Sequence, residues 1–130
     1  MFAYTMLGSN DINRSEAFYA PLMALLGGVE VKAYRSEKRF WYSGTASPMP
    51  MLAVTEPHDG APATVGNGSM LALAADSRAK VDAAHAKALE LGGSDEGAPG
   101  VRGDDPNGFY GAYFRDPDGN KICVFRVGPA

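Results

Sequence analysis

The sequence predicts an α+β fold in which two tandem β-α-β-β-β modules form a curved mixed sheet around a cleft. Three observations support this prediction. Stretches of alternating apolar and polar residues surround two segments with helical spacing, these segments follow the same order in both halves, and a pair of glycines follows each helical segment. A chain of 130 residues is typical of one domain. We therefore expect a single domain, residues 1–130, that contains a duplication.

Module one is expected at 1–57. An alternating strand opens it, and Asp11 then stands where a helix N-cap would accept backbone N–H bonds. Apolar residues at helical spacing follow, and Gly27 and Gly28 end the helix because glycine adopts the left-handed C-cap conformation without strain. Three strands are predicted next, at 29–35, 39–43 and 51–55.

Module two, residues 67–127, follows a turn-rich linker at 58–66 and repeats this order. Asp76 and Ser77 can cap its helix, and Gly92 and Gly93 close it. A shift of 65 residues superimposes the two halves, matching the following pairs: Asp11 with Asp76, Leu26 with Leu91, Gly27 with Gly92, and Gly28 with Gly93. The glycine-rich segment 92–108 is predicted to be a loop, suited to a flap over a cleft.

The last two strands are joined by "DPDG", which we interpret as a four-residue hairpin turn. This turn would pair the following residues across the hairpin: Arg115 with Asn120, Ala112 with Cys123, and Tyr110 with Phe125. Since side chains alternate along a strand, Tyr110, Cys123 and Phe125 are expected to face the cleft, together with Tyr4 and Met6 of the first strand.

Composition and charge exclude several classes of function. The formal net charge of −3 offers no cationic field for phosphates, so we expect no nucleic-acid partner. No apolar run approaches the roughly 20 residues needed to cross a bilayer, so no membrane partner is expected either. The single cysteine and the lack of a signal-like leader favour a cytoplasmic location.

The opening "YTMLGSNDINRSEAFY", the closing "YFRDPDGNKICVF" and the duplicated module order resemble the vicinal oxygen chelate superfamily. This superfamily includes glyoxalase I, fosfomycin-resistance enzymes, extradiol dioxygenases and bleomycin-resistance proteins. The resemblance implies a glyoxalase-like fold, with paired modules around a cleft that two chains often form together. A homodimer is therefore expected. Enzymes of this superfamily usually hold a divalent metal ion with histidine and glutamate side chains from four strands.

The resemblance places the four metal-ligand positions at Tyr4, Met51, Ser69 and Cys123. The shift of 65 residues also matches Tyr4 with Ser69. Hard and borderline divalent ions prefer carboxylate, imidazole or water ligands, which these side chains do not supply. We therefore expect no metal and no other cofactor at these positions. Bleomycin-resistance members bind a ligand without catalysis, so the fold also suits a receptor.

The leading interpretation is a protein that binds a small organic molecule in an aromatic cleft. Arg102 in the predicted flap would recognise a polar group of the ligand. The predicted ligand-binding residues are Tyr4, Met6, Trp41, Met51, Ser69, Arg102, Tyr110, Cys123 and Phe125.

Two alternatives remain open from the sequence. The first is a metal-dependent lyase or dioxygenase with displaced ligands such as Glu56, His58 or Glu96. The second is a non-catalytic interaction module whose cleft is filled by its own side chains. Cys123 is either a pocket thiol or a small buried hydrophobe, and no sequence feature places a histidine beside it as a base.

Overall fold

The structure, a computed structural model, describes residues 1–44 and 49–130. The elements of module one are β1 (Tyr4–Gly8), α1 (Ile12–Leu26), β2 (Val29–Glu30), a 3₁₀ helix (Lys32–Tyr34), β3 (Arg39–Ser43) and β4 (Met51–Thr55). Those of module two are β5 (Leu71–Ala74), α2 (Arg78–Glu90), β6 (Ser94–Val101), β7 (Phe109–Arg115) and β8 (Lys121–Val127). The duplicated module order is confirmed.

Each module builds a mixed four-stranded sheet with the same topology. The strand orders are β1-β4-β3-β2 and β5-β8-β7-β6. In both sheets the first strand pairs in parallel with the last, and the remaining pairs are antiparallel. The α+β fold is therefore confirmed, and in the described part of the chain its strands form two open sheets instead of one continuous curved sheet.

The two helices begin and end as their capping residues predict. The side chain of Asp11 accepts a hydrogen bond from the Arg14 N–H at 3.0 Å, and Ser77, not Asp76, caps α2. Gly27 and Gly92 follow the two helices with φ of 83° and 100°, a region that favours glycine. The modules therefore match at a shift of 65 residues at the helix ends and of 66 at the N-caps.

One hydrophobic core joins the two modules. It contains the inner faces of both helices and the helix-facing side chains of both sheets. The rings of Phe18 on α1 and Phe114 on β7 lie 6.2 Å apart between centroids, and both residues are almost completely buried. Because the modules share this core, we treat the chain as one folding unit.

Polar contacts at the "DPDG" turn also hold module two against α1. Asp116 is buried and accepts hydrogen bonds from the Tyr19 hydroxyl at 2.5 Å and from Asn120 Nδ2 at 2.8 Å. Asp118 accepts from the backbone N–H of Asn10 at 2.8 Å and from Arg14 Nη2 at 2.7 Å. Burial, followed by the charge of Asp116, raises the pKa of Tyr19 well above its ordinary value.

Two predicted segments have a different conformation in the structure. The strand expected at 29–35 is only two residues long, and the chain then turns into the 3₁₀ helix. The segment predicted as a flap contains β6, which pairs with β7 and has register irregularities around Gly97. Backbone hydrogen bonds build this strand although it has few β-branched residues.

The predicted register of the last hairpin is wrong by one residue. Arg115 pairs with Lys121, Tyr113 with Cys123, and Gly111 with Phe125. The loop has five residues because the Asp116 N–H donates to the Asn120 carbonyl at 2.9 Å. A slip of one residue moves side chains of one strand to the other face of the sheet, so the predicted cleft residues change.

No helix in the described residues is long and apolar enough to cross a membrane.

Candidate functional site

The sides of the two sheets that face away from the helices carry most of the predicted site residues. We call the side of the first sheet outer face one, formed by Tyr4, Met6, Trp41, Met51 and Ala53. We call the side of the second sheet outer face two, formed by Phe109, Gly111, Tyr113, Cys123 and Phe125. The alternate residues of the same strands belong to the shared core, which fixes the direction of each set.

Trp41 is the centre of outer face one. Its indole lies edge-on to the ring of Tyr4 at 5.2 Å and to that of Tyr34 at 5.9 Å, measured between centroids. Met51 and Ala53 pack against it in a small buried cluster that is separate from the main core. Trp41 is therefore only 8% exposed although it stands on the outer side of the sheet.

The indole nitrogen of Trp41 is a buried donor without an acceptor. Among the described residues, no group accepts a hydrogen bond from Nε1. A buried N–H that makes no hydrogen bond costs about 1–3 kcal/mol. Tyr4 and Tyr34, whose rings contact the indole, are both more than half exposed.

Cys123 is the centre of outer face two. It is 1% exposed and lies opposite Tyr113 on the neighbouring strand. Burial raises the pKa of the thiol, while the hydrogen bond with Tyr113 and the charges of Arg102 and Lys121 oppose that rise. Because the raising effect is the largest, the thiol stays protonated near neutral pH and is a poor nucleophile.

Phe109 and Phe125 form an aromatic pair on the same face. Their rings are nearly parallel, at 8°, with centroids 5.2 Å apart. A Cβ atom on Gly111 would come within 2.5 Å of the Phe109 ring, so the glycine is required for this ring to lie against the sheet. Outer face two therefore combines an aromatic pair with a buried thiol.

Two predicted cleft residues lie elsewhere. Tyr110 faces α2, where its hydroxyl donates to Asp82 Oδ1 at 2.6 Å, so its predicted direction is wrong. The cause is the one-residue slip in the hairpin. Ser69 precedes β5 in an exposed turn, and Ala72 takes the place beside Cys123. The placement of Ser69 on the strand after the linker is therefore also wrong.

Three residues of the site were not predicted from the sequence: Phe109, Tyr113 and Lys121. These residues line outer face two, and the correct turn length would have found them, since alternation from Cys123 then selects Tyr113 as its neighbour. The signal was present in the first aspartate of "DPDGN". The side chain of Asp116 accepts hydrogen bonds from the backbone N–H groups of Asp118 at 3.0 Å and Asn120 at 2.9 Å, and these bonds close the five-residue loop.

The four residues that the resemblance assigns to metal-ligand positions do not have the chemistry that a divalent ion prefers. Tyr4 and Met51 are register partners on outer face one, Cys123 belongs to outer face two, and Ser69 is outside the sheet. A phenol, a thioether, a hydroxyl and a protonated thiol supply no carboxylate or imidazole. Across 1–44 and 49–130, no group of three or more His, Cys, Asp or Glu residues could hold a metal ion.

The alternative metal ligands are distributed over both modules. Glu56 and His58 line a recess of about 250 Å³ near the start of α1. Glu96 belongs to β6, where Arg115 Nε donates to its carboxylate at 2.7 Å. This hydrogen bond lowers the pKa of Glu96. The structure therefore gives the displaced set of Glu56, His58 and Glu96 no common site.

A groove of about 590 Å³ lies between the two edge strands β1 and β5. Of the predicted ligand-binding residues, Tyr4 and Met51 line it. The remaining lining comes mostly from β5, from the end of α1 and from the ends of β3 and β4. Several apolar side chains at these edges are exposed, namely Phe2, Tyr4, Met6 and Met70. An exposed apolar patch of this kind is typical of an interaction surface.

Comparison with known families agrees with this architecture. The model of the Glyoxalase/Bleomycin resistance protein/Dioxygenase superfamily matches residues 2–124. The chain therefore belongs to this superfamily, and the resemblance stated from the sequence is confirmed. The comparison with curated proteins gave no match.

Three solved structures illustrate the similarity. A glyoxalase/bleomycin resistance protein from Albidiferax ferrireducens T118 is 42% identical, with 96% of this chain and 97% of that chain covered and a TM-score of 0.82. A family enzyme from Burkholderia phytofirmans PsJN is 19% identical, with coverages of 96% and 97% and a TM-score of 0.71. Lactoylglutathione lyase from Agrobacterium tumefaciens is 24% identical, with coverages of 96% and 92% and a TM-score of 0.63. The last two show a shared fold.

Proposed function

We propose that this protein binds a small organic molecule on its outer faces, without a metal ion at the four superfamily positions. The observation that carries this proposal is the buried indole N–H of Trp41, which has no acceptor in the described residues. A ligand that inserts an acceptor beside the indole would remove the cost of this unpaired donor and stack on the surrounding rings.

The chemistry of the superfamily positions supports a site without metal. Tyr4, Met51 and Cys123 lie on aromatic and apolar faces, and no carboxylate or imidazole stands at these places. Such faces suit the dispersion and stacking contacts of a flat or apolar ligand better than they suit ion coordination. We propose binding without a chemical step, since burial raises the pKa of the Cys123 thiol and so disfavours the nucleophilic thiolate.

The proposal includes a homodimer. In one chain the helices and the shared core hold the two sheets, and the outer faces point away from that core. The unpaired edges of β1 and β5, with the exposed apolar side chains beside them, would be covered if module one of one chain met module two of a second chain. The two outer faces would then line one cleft.

Native mass spectrometry of the protein as purified tests these proposals in one measurement. We expect a dimer that retains a small organic molecule and no stoichiometric metal. A matched Trp41→Phe variant keeps an aromatic ring but has no indole N–H, and it should lose the retained molecule while keeping the dimer. A stoichiometric divalent metal, measured also by elemental analysis, would contradict the metal-free site.

The two other hypotheses give different results. A metal-dependent lyase or dioxygenase would show bound metal that is lost after substitution of Glu56 or His58. An interaction module whose faces are filled by its own side chains would retain no molecule, and no member of a small-molecule library would raise its melting temperature. Since Trp41 is the only tryptophan, its fluorescence reports directly on outer face one.

A further inference from the structure

Outer face two carries two positive charges over one aromatic ring. The guanidinium carbon of Arg102 lies 5.5 Å from the ring centroid of Tyr113, and the Lys121 Nζ lies 5.6 Å from it. Arg102 follows β6 and Lys121 begins β8, so both neighbours of β7 contribute one cation to the same ring. The arrangement concentrates positive charge at one point of the sheet.

Neither cation is neutralised within the described residues. Arg14, Arg35 and Arg115 each have a carboxylate oxygen within 2.8 Å, whereas no acidic side chain forms an ion pair with Arg102 or Lys121 in that part of the chain. The carboxylate of Glu96, which the charge of Lys121 influences, is already bound by Arg115.

Glycines and a backbone carbonyl hold Arg102 in place. Its Nη2 donates to the Ala98 carbonyl at 2.7 Å. A Cβ atom on Gly100 would stand 2.9 Å from Arg102 Nη1, and one on Gly97 would stand 3.1 Å from Tyr113 Cδ2. The two glycines therefore allow the guanidinium to lie over the ring. Because a guanidinium has five N–H donors, this single hydrogen bond leaves others for a ligand.

The positive charges of Arg102 and Lys121 also act on the buried Cys123 of outer face two. Arg102 and Lys121 each lower the pKa of the Cys123 thiol, against the larger effect of burial. Phe109 and Phe125 supply apolar surface on the same two strands. An anion attached to an apolar body would meet both kinds of contact at once.

We propose that Arg102, Lys121 and Tyr113 form an anion-binding subsite that takes a carboxylate or phosphonate group of the small organic ligand. This inference rests on the proposed function, and it specifies the ligand class as an anion with an apolar or aromatic body. The fork of Arg102 binds two anion oxygens, and Lys121 contributes a second charge from the opposite side. The stacked phenylalanines contact the apolar body.

Three probes separate charge from shape: benzoate, phenylphosphonate and the neutral benzamide. Binding is measured by calorimetry and by ¹H–¹⁵N spectra that include the arginine Nε–H signals. We expect benzoate or phenylphosphonate to bind at least about tenfold more tightly than benzamide, which corresponds to about 1.4 kcal/mol. The bound anion should shift the Arg102 side-chain signal. If phenylphosphonate binds more tightly than benzoate, the charged group of the ligand is a dianion. If benzoate binds more tightly, it is a carboxylate.

Two double variants test the residues. Arg102→Gln with Lys121→Gln should weaken anion binding by about tenfold. Lys32→Gln with Lys38→Gln removes the same charge from exposed positions of module one and should leave binding unchanged. Unchanged spectra of the amide backbone outside the site show that both variants are folded.

Several results would overturn the subsite. These are equal affinities for benzoate and benzamide, equal effects of the two double variants, or an Arg102 signal that no probe shifts. Native mass spectrometry separates this failure from failure of the proposed function. A retained neutral molecule would leave the proposed function standing and refute the anion subsite.

Discussion

The two outer faces differ in chemistry although the sheets that carry them share one topology. Outer face one is filled around Trp41 by Tyr4, Met51 and neighbouring apolar residues. Outer face two carries the charges of Arg102 and Lys121 over Tyr113. The helix-facing sides of both sheets, by contrast, are mostly apolar and meet in one core. The duplication has therefore kept the packing side and diversified the other side, which is where we place function.

The largest effect on stability is expected from loss of the buried contacts between the "DPDG" turn and α1, which we call the junction, because they hold the two modules together. Asp116→Ala would remove the buried acceptor of the Tyr19 hydroxyl and of one N–H of the Asn120 amide, and we expect a loss of about 4 kcal/mol in the free energy of unfolding. Urea unfolding should show one transition at a lower midpoint. The exposed Asp76→Ala is the control and should not change the midpoint. Separate transitions for the two modules would refute a shared core.

Truncation of one aromatic ring on each outer face, Trp41 or Tyr113, should show how differently the two faces are packed. Trp41→Ala should destabilise the protein by about 3 kcal/mol, because it removes a buried ring, whereas Tyr113→Ala should cost about 1 kcal/mol. Trp41→Phe should lower the free energy of unfolding by less than Trp41→Ala does, since the phenyl ring has no N–H that needs an acceptor. Equal losses from the two alanine variants, measured by thermal unfolding, would show that both faces are packed alike.

High pH should weaken the junction through Tyr19. Its pKa is raised in the folded state above the ordinary value of 10.0, so the native state keeps a proton that the unfolded state releases. Stability is therefore unaffected by this group below that value and falls as the pH rises above it. Tyr19→Phe should flatten that part of the pH profile. An unchanged slope in the variant would assign the alkaline loss to other groups.

The smallest expected effect is on the thiol of outer face two. Iodoacetamide should alkylate Cys123 slowly, because burial raises the pKa of the thiol. Arg102→Gln removes a charge that lowers this pKa, so alkylation at mildly alkaline pH should slow by about twofold. Lys38→Gln serves as the matched control with no expected change in rate. Faster alkylation of the Arg102 variant would mean that the arginine acts as a steric cover.

The sequence predicted the fold because its strongest signals are local. Capping at Asp11 and glycines at 27 and 92 mark the helices, and they depend only on neighbouring backbone groups. Strand β6 was missed because backbone pairing with β7, not side-chain preference, builds it. This pairing depends on residues far away in the chain, so local propensity underestimates it.

The site could be predicted only in part, since it depends on strand parity. Trp41, Met51, Cys123 and Phe125 were predicted to line a cleft; in the structure they lie on the sides of the sheets that face away from the helices, and their binding of a ligand stays a prediction. Tyr110 was misplaced because one residue of turn length inverts the face of a whole strand. The turn length itself follows from the side chain of Asp116, which accepts from the backbone N–H of Asn120, a contact that the expected four-residue turn does not contain.

The position of Asp118 also matters for how the protein is made. The carboxylate that binds the backbone at Asn10 and the side chain of Arg14 comes from 108 and 104 residues further along the chain. During translation, the first helix emerges from the ribosome long before this partner exists. Module one thus completes its N-terminal contacts only after Asp118, 108 residues beyond Asn10, has been synthesised, and it must avoid aggregation until then.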